Sequence, residues 1–454
     1  MGNAKQLAKE FGYVEKEEEV DNNSKKIFEF FDKKNLAKQF IDHQPIYFDN
    51  SKMWWVWNIK MNKWELKDET DLLNNVSDIS TADTIKSKEK QEILEAFKQV
   101  SRRHAPAEIK KSWVQFDDMI FDFETGMSAP ASSDYFITNP IPWKLTKEKD
   151  IKTPNMDRIF EEWVGKESVQ TLYEILAYCL IPDYPIHRIF CFIGAGMNGK
   201  SCFLNLLRKF VGSSNCCSTE LDTLLTSRFE VTRLHKKLVC QMGETNFNEM
   251  DKTSTLKKLS GGDLIGFEYK NKDPFEDINY AKIMISTNNL PSTNDKTIGF
   301  YRRWMIVDFP NQFDEKKDIL SEIPDEEYEH LAAKCCSILK DLLKKREFTN
   351  EGSIDDRMQR YEDRSNPIQK FISEFCDSDD ADHFTTKSMF ETKLNLYLKD
   401  NKLRSMTDVA ISRYMKKHSY NDGRARIKWF EDDGKITHRQ ARVWYGIKLK
   451  DQLK

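Results

Sequence analysis

The residues best suited to chemistry lie between Phe190 and Leu207, in FCFIGAGMNGKSCFLNLL. Gly194, Gly199, Lys200 and Ser201 fit the spacing G-x-x-x-x-G-K-[ST] of a phosphate-binding loop. Each residue type answers a physical need. Glycine lets the backbone turn tightly and bring its N–H groups against phosphate oxygens. A helix starting near Lys200 turns its positive end to the same anion. Lys200 would reach the β- and γ-phosphates of a nucleoside triphosphate, and the Ser201 hydroxyl would hold Mg²⁺. The competing reading is a chance match in a strand–turn–helix unit. With only 17 glycines in 454 residues, and with the required strand before and helix after, that coincidence is small.

Such a site also needs a carboxylate at the end of a neighbouring strand, to hold Mg²⁺ or polarise the attacking water. LHKKLVCQMGE reads as a short apolar strand ending at Glu244. A second strand, Ala281–Thr287, ends at Asn288 and Asn289, where an amide can sense the γ-phosphate or orient water. Arg302 and Arg303 stand just before a further strand, Trp304–Phe309. An arginine so placed suits a finger acting across a subunit boundary; a surface salt bridge is the alternative. LKKLSGGD (Leu256–Asp263) ends a helix at paired glycines, and EYKNKDP (Glu268–Pro274) reads as a hairpin with Lys270 and Lys272 near its tip.

The elements around this centre can be read in order. Residues 1–35 form a charged lead-in with one helix, Ser24–Asp32, and an acidic tract, Glu15–Glu19. From Phe40 short strands follow, around Tyr47–Asn50, Met53–Trp57 and Trp64. Trp54, Trp55, Trp57 and Trp64 are able to stack on bases, but a β meander packing its own core is the default. Residues 82–104 read as a helix with Ile93, Leu94 and Phe97 on one face; Arg102, Arg103 and His104 at its end either touch DNA or face solvent. Trp113–Pro142 is β-like, with a turn at Thr125-Gly126, and Ile159–Leu180 reads as one helix burying Trp163, Leu172, Ile175, Leu176 and Cys179. Glu326–Lys345 is helical and Thr349–Asn366 reads as a polar linker.

The bulk composition excludes several classes. The 71 basic and 74 acidic residues nearly cancel, at a net −3. The 32% charged fraction exceeds the usual value of about 25%, while 12% aromatic residues argue against general disorder. Nine cysteines, two adjacent pairs among them and no C-x-x-C, fit reduced thiols in a cytoplasmic compartment better than a disulfide framework or zinc module. No apolar signal core opens the chain, and the longest apolar run, Leu172–Ile181, holds Glu174 and is too short to span a bilayer, so no membrane partner is expected.

The near-neutral total conceals a basic end. From Thr385 to Lys454, 17 Lys and Arg stand against 8 Asp and Glu, a net +9 that leaves about −12 for the rest. Such asymmetry points to nucleic acid. Pro367–Cys376, Lys387–Lys399 and Asp408–Ser419 read as three helices, and Arg426–Phe430 and Arg442–Leu449 as strands, the order of a winged helix-turn-helix. Arg413, Lys416 and Lys417 would lie on the recognition helix, with Arg424, Arg426, Lys428, Arg439 and Arg442 dressing the wing. A basic domain that packs on the rest of the protein or binds a protein partner is the alternative.

Taken together, GAGMNGKS with Asn198 before the Gly-Lys pair, the strand ending at Glu244, KLSGGD, the lysine hairpin, AKIMISTNNLP and NDKTIGFYRRWMIVDF form an ordered set. It resembles the helicase part of the poxvirus-type and phage-satellite-type primase–helicases, in the superfamily 3 branch of AAA+ ATPases. The likeness runs from about residue 40 to 315 and includes SWVQFDDMIFDFETG and LYEILAYCL upstream. It implies an α/β fold: an AAA+ P-loop ATPase core, a mixed α+β N-terminal domain and a C-terminal winged-helix domain. The divisions expected are a lead-in at 1–35, the N-terminal domain at 36–165, the ATPase at 166–348, a linker at 349–366 and the winged helix at 367–454. The resemblance further implies a hexameric ring that hydrolyses ATP with Mg²⁺ and moves on single-stranded DNA, usually 3′ to 5′. In it Gly194, Asn198, Gly199, Lys200 and Ser201 hold the nucleotide, and Asn288 is the sensor. Arg303, then Arg302, matches the trans-acting finger, and Lys270 or Lys272 the lysine gripping DNA in the pore.

The chain departs from the pattern in places. Gly243 stands before Glu244 where two acids are common, and His235 replaces a small residue. No stretch fits a polymerase-like primase domain, so a separate primase or polymerase is the expected partner. The leading expectation is a replicative DNA helicase of a virus, plasmid or mobile element. An origin-binding initiator whose ATP drives assembly, and a motor remodelling protein or RNA, are the competing classes.

Overall fold

The computed structural model describes residues 33–79, 86–117, 119–148, 150–243, 249–250, 252–270, 272–314, 318–378, 380, 383–400, 403, 405–430 and 436–450. The expected helix Ser24–Asp32 and the tract Glu15–Glu19 lie outside these residues.

The centre is a five-stranded sheet of β7 (Ile189–Ile193), β8 (Cys216–Thr219), β9 (Val239–Met242), β13 (Lys282–Thr287) and β15 (Trp304–Asp308), in the spatial order β15-β7-β13-β9-β8. Every pairing in it is parallel. The sequences explain this. IFCFI and KIMIST are buried at every position, as a parallel strand covered on both faces must be. Alternate residues then divide between two cores. Phe190, Phe192, Met284, Met305 and Val307 pack toward the helices Pro154–Val164, Val169–Tyr178, Lys200–Val211 and Asp325–Lys345. Ile189, Cys191, Ile283, Ile285, Trp304 and Ile306 pack toward the helices Leu221–Thr226 and Ser254–Leu259 and toward Phe300 and Tyr361.

The structure corrects two expectations. The helix expected over Ile159–Leu180 is two helices, broken where Gly165 takes φ 78 at the end of Pro154–Val164. The stretch expected as a polar linker contains a 12-residue helix, Ile354–Ser365, opened by a Ser353–Asp356 capping box. Tyr361 is fully buried from this helix and donates to Pro291 O at 2.8 Å. Its neighbour Arg357 shares the buried Glu351 carboxylate (2.6 Å) with Arg188, which binds it through Nε (3.0 Å) and a terminal nitrogen (2.7 Å). The helix is thus bolted to the residue that opens β7.

Upstream, β1 (Ile46–Phe48), β2 (Trp54–Asn58) and β3 (Lys63–Lys67) form an antiparallel meander, and β4 (Trp113–Phe116), β5 (Met119–Asp122) and β6 (Met127–Pro130) a second. The helix expected over 82–104 spans Ser87–Ser101, and a further helix, Glu69–Ile79, was not foreseen. Two short strands, β10 (Glu249–Met250) and β14 (Ser292–Thr293), pair in parallel. The hairpin is β11 (Leu264–Phe267) with β12 (Phe275–Ile278). Past residue 366 come the helix Pro367–Phe375, β16 (Cys376–Asp377), β17 (Phe384–Thr386), the helices Lys387–Asp400 and Asp408–Lys417, then β18 (Asn421–Phe430), β19 (Ile436–Tyr445) and β20 (Lys448–Leu449). The sheet there has the order β17-β19-β18. All nine cysteines are free, and among the described residues no helix is long and apolar enough to cross a membrane.

Burial opposes ionisation of Glu351, but the bonds and charge of Arg188 and Arg357 prevail and hold its carboxyl below the usual glutamate range. Its contribution is therefore complete above the unfolded pKa of about 4.3 and is lost as the pH falls through the lower folded value. Glu351→Gln should cost about 3 kcal/mol at neutral pH, because two buried guanidiniums lose their counter-charge. Urea unfolding should show that gap from wild type shrinking below about pH 4.3.

Candidate functional site

The sheet places its chemistry at the carboxyl ends of β7 and β13, where open α/β sheets bind ligands. Between β7 and the helix Lys200–Val211 the loop 194–199 is curled by positive φ at Gly196 (107°), Met197 (47°) and Gly199 (88°). Such alternation turns successive backbone N–H groups into one concavity, a nest for an anion. Two glycines are required by contact as well as by angle. A Cβ at Gly194 would fall on the Asn198 side chain and 2.6 Å from Phe309 O, and one at Gly199 would sit 2.5 Å from the Trp163 ring.

Lys200 is buried at the first turn of the helix, 7% exposed. Its ammonium donates to Gly194 O (2.7 Å), Asn198 Oδ1 (2.9 Å) and Asn288 Oδ1 (3.4 Å). Asn198 uses its other end to donate to Phe309 O at 3.2 Å, pinning the loop to the end of β15. Asn288 leaves the end of β13, where Thr287 Oγ1 donates to Asn289 O (2.8 Å) and shapes the turn. Loop lysine, loop asparagine and the amide of the adjacent strand therefore meet at one point. Ser201 is exposed beside them. Glycine loop, helix N-terminus, ammonium and hydroxyl suit a polyphosphate carrying Mg²⁺. Glu244, the carboxylate expected to complete this site, lies outside the described residues. A cavity of about 190 Å³ opens beside Gly194, lined by Val164, Thr171, Met305, Phe309, Arg360 and Arg364, and it had no signal in the sequence.

The arginine pair sits at the other end of the sheet. Ile189 N donates to Arg303 O, so the pair is level with the start of β7 and the phosphate loop with its end. At ~3.3 Å per residue, about 15 Å separates them. Arg303, the first choice for a finger, is buried and committed within its own chain: it donates to Ser260 Oγ (3.1 Å), Lys257 O (3.2 Å) and Gly299 O. The glycine pair has a role in this, since a Cβ at Gly261 would meet Lys257 O at 2.6 Å and Arg303 at 3.2 Å. Arg302 is only partly buried and is the more accessible of the two. Burial, then Arg302, Arg303 and Arg188, push the His187 imidazole below its ordinary value, which marks positive potential at this edge.

Lys270 and Lys272 are exposed in the loop of the β11–β12 hairpin. Trp54, Trp55, Trp57 and Trp64 are buried, and their rings serve packing rather than base stacking. Trp55, Trp57 and Trp64 join Phe136, Tyr269 and Phe275, so the first meander packs on the loop end of the hairpin. Lys52 also pairs with Asp273 at 2.6 Å. Arg102 donates to Phe48 O and Asp49 O and lies over the Phe48 ring, whereas Arg103 and His104 are exposed.

In the C-terminal region Arg413, Lys416 and Lys417 are exposed on the helix Asp408–Lys417, opposite buried Ile411 and Met415. The ribbon β18–β19 pairs Arg424 with Arg442, Arg426 with Gln440 and Lys428 with His438. The strand period of two places all six on one face, and all are exposed. Arg439 pairs with Ile427 and is exposed on the opposite face of the same ribbon.

Residues 192–303 match the model of a family described as a family of unknown function, DUF5906. A protein of Acanthamoeba polyphaga mimivirus named "Putative helicase L207/L206" is 22% identical over 210 residues. That match covers 44% of this chain and 22% of the relative, so the chain aligns with about a fifth of that protein. Two solved apo structures of the NrS-1 C-terminal region are similar at 15% identity, with TM-scores of 0.45 and 0.46, covering 90% of this chain and 98% of theirs.

Gly199→Ala should unfold at lower urea, by more than ~1 kcal/mol, since alanine meets both a positive φ and the Trp163 ring. It should also lose binding of a fluorescent nucleotide in titration. Wild-type binding by the variant would show that Trp163 does not set the loop.

Proposed function

We propose that this protein is an ATP-driven DNA helicase whose subunits assemble into a ring and share nucleotide sites across their seams. The observation that carries the reading is the convergence of Lys200, Asn198 and Asn288 at the phosphate loop. The mimivirus relative, itself named "Putative helicase", is in line with it. MgATP would supply the driving hydrolysis. Loop N–H groups would donate to the β- and γ-phosphates, and the Lys200 ammonium would turn to them from the acceptors it now holds. Ser201 would hold the metal, and Asn288 would register the γ-phosphate. Glu244 is the proposed carboxylate for the metal or the water. Arg302 and Arg303 stand too far from their own loop to serve it, so an arginine finger at this edge would act on a neighbouring subunit. Arg302 is the better placed. Lys270 and Lys272 would grip the phosphates of a single strand in the pore, with 3′ to 5′ movement and six subunits the expected form.

The exposed basic face of the ribbon favours a second role, duplex binding by a C-terminal winged helix, as an origin-binding initiator would need. The two roles are compatible in one chain.

Lys200→Ala should abolish ATP hydrolysis with the fold intact by circular dichroism, and wild-type hydrolysis should rise on adding single-stranded DNA. Hydrolysis indifferent to DNA would remove the helicase reading. Arg302→Ala should likewise be inactive alone, and mixing it with Lys200→Ala should restore part of the activity, because some seams then carry both intact residues. No recovery in mixtures would exclude a shared site. For the ribbon, changing Arg424, Arg426, Lys428 and Arg442 to alanine should flatten the salt dependence of duplex binding by roughly 0.9 in slope for each phosphate no longer neutralised. An unchanged slope would remove the ribbon from the interface.

A further inference from the structure

The first turns of the helix Asp325–Lys345 hold the segment that leads into the phosphate-loop support. Glu327 is buried and accepts from Met156 N (2.7 Å) and Asn155 Nδ2 (3.0 Å), capping the helix Pro154–Val164. One turn later His330 is also buried, 7% exposed. Its Nδ1 lies against both backbone groups of Lys152, 3.0 Å from the N–H and 3.1 Å from the carbonyl oxygen. Its Nε2 faces the Glu148 carboxylate, with Oε2 at 3.5 Å. Glu326, four residues before His330, is on the same helix face. One donor atom from each of Glu148, Glu326 and His330 lies within 4.8 Å of the others.

We propose that Glu148, Glu326 and His330 form a binding site for a divalent transition ion of the zinc class, which staples the segment before Pro154 to the helix Asp325–Lys345. The ligand chemistry selects the ion. An imidazole nitrogen with two carboxylates suits Zn²⁺ or a near neighbour, whereas Mg²⁺ and Ca²⁺ favour all-oxygen sets. The site is thereby separated from the Mg²⁺ of the nucleotide. Three protein ligands leave a position for water. Both glutamates are exposed and free to rotate toward a ligand distance of about 2.0–2.2 Å.

The surroundings of His330 fit the role. With its proton on Nδ1, the ring donates to Lys152 O and presents the Nε2 lone pair to the ion, the usual outer-shell arrangement of a metal-bound histidine. Without the ion, Nδ1 accepts from Lys152 N–H and the proton on Nε2 faces Glu148. One ring position serves both states. The ion would also relieve repulsion between two carboxylates. Its mechanical target is the helix Pro154–Val164, whose Trp163 ring covers Gly199. Ion binding here requires no nucleotide and no hydrolysis.

The test uses the full chain, stripped with chelator and titrated with Zn²⁺ or Co²⁺ alone. Wild type should bind one ion per chain at this site, rise in Tm with Zn²⁺ but not with the same concentration of Mg²⁺, and show visible Co²⁺ absorption. The double variant Glu148→Gln with Glu326→Gln changes only exposed side chains, so it keeps the fold where His330→Ala removes a buried ring. It should bind Zn²⁺ at least about tenfold more weakly and lose the Co²⁺ bands. Equal Zn²⁺ affinity in the double variant, or no uptake by wild type, would overturn the proposal.

Discussion

The arrangement of the phosphate-binding end of the sheet depends on how one buried cation is satisfied. An ammonium taken out of water is costly unless hydrogen-bond acceptors surround it. Lys200 meets that condition with the Gly194 carbonyl, the Asn198 amide and the Asn288 amide. Each acceptor constrains a different element. Gly194 must lack a side chain, Asn198 must bridge to the end of β15, and Asn288 must leave β13 at the level of the loop. Three neighbouring strands of the sheet are thus held to one register at their carboxyl ends. Because these acceptors are neutral, an incoming polyphosphate offers the ammonium a stronger partner without disturbing the strands.

The opposite end of the sheet obeys a different constraint. There the charges are guanidiniums, and most are neutralised or engaged. Arg188 and Arg357 share Glu351, while Arg303 is held by Ser260, Lys257 and Gly299. Arg302 stands beside them, only partly buried. Burial first, then Arg302, Arg303 and Arg188, push the His187 imidazole below its ordinary value. One end of the sheet therefore suits a polyphosphate, and the length of the strands keeps the arginines at the other end away from a ligand bound there.

What the sequence made legible was what depends on local spacing. The phosphate loop, β7, β13, the lysine hairpin and the three C-terminal helices each carry their signal within about a dozen residues. What it hid rests on partners distant in the chain. The helix Ile354–Ser365 reads as a linker because nearly all its residues are polar; its order comes from Tyr361 reaching Pro291 and from Arg357 reaching Glu351. Gly165 breaks an otherwise continuous apolar period, and periodicity alone does not show a φ of 78°. Arg303 and Arg302 are neighbours in sequence with the same chemistry, and only packing separates the buried one from the accessible one. The division of the ribbon's basic residues between its two faces, Arg439 on one and Arg424, Arg426, Lys428 and Arg442 on the other, follows from register, which turns on the placement of the connecting loop.

The hairpin shows how burial joins distant parts without any motif. His235 stands just before β9, and its ring reaches Tyr269 OH (3.0 Å) in the hairpin loop and Asp277 (3.2 Å) on β12. Burial lowers the pKa of this histidine against the pull of Asp277, whose own carboxyl is held well below the usual range by His235 and Lys236 despite its partial burial. Trp55, Trp57 and Trp64 of the first meander pack against Tyr269 and Phe275 at the loop end of the hairpin, with the Trp55 ring beside His235. The loop end of the hairpin is thus held against the upstream strands, while Lys270 and Lys272 themselves are exposed. A buried, hydrogen-bonded imidazole therefore joins the approach to β9 to the hairpin, a connection that a small side chain at 235 could not make.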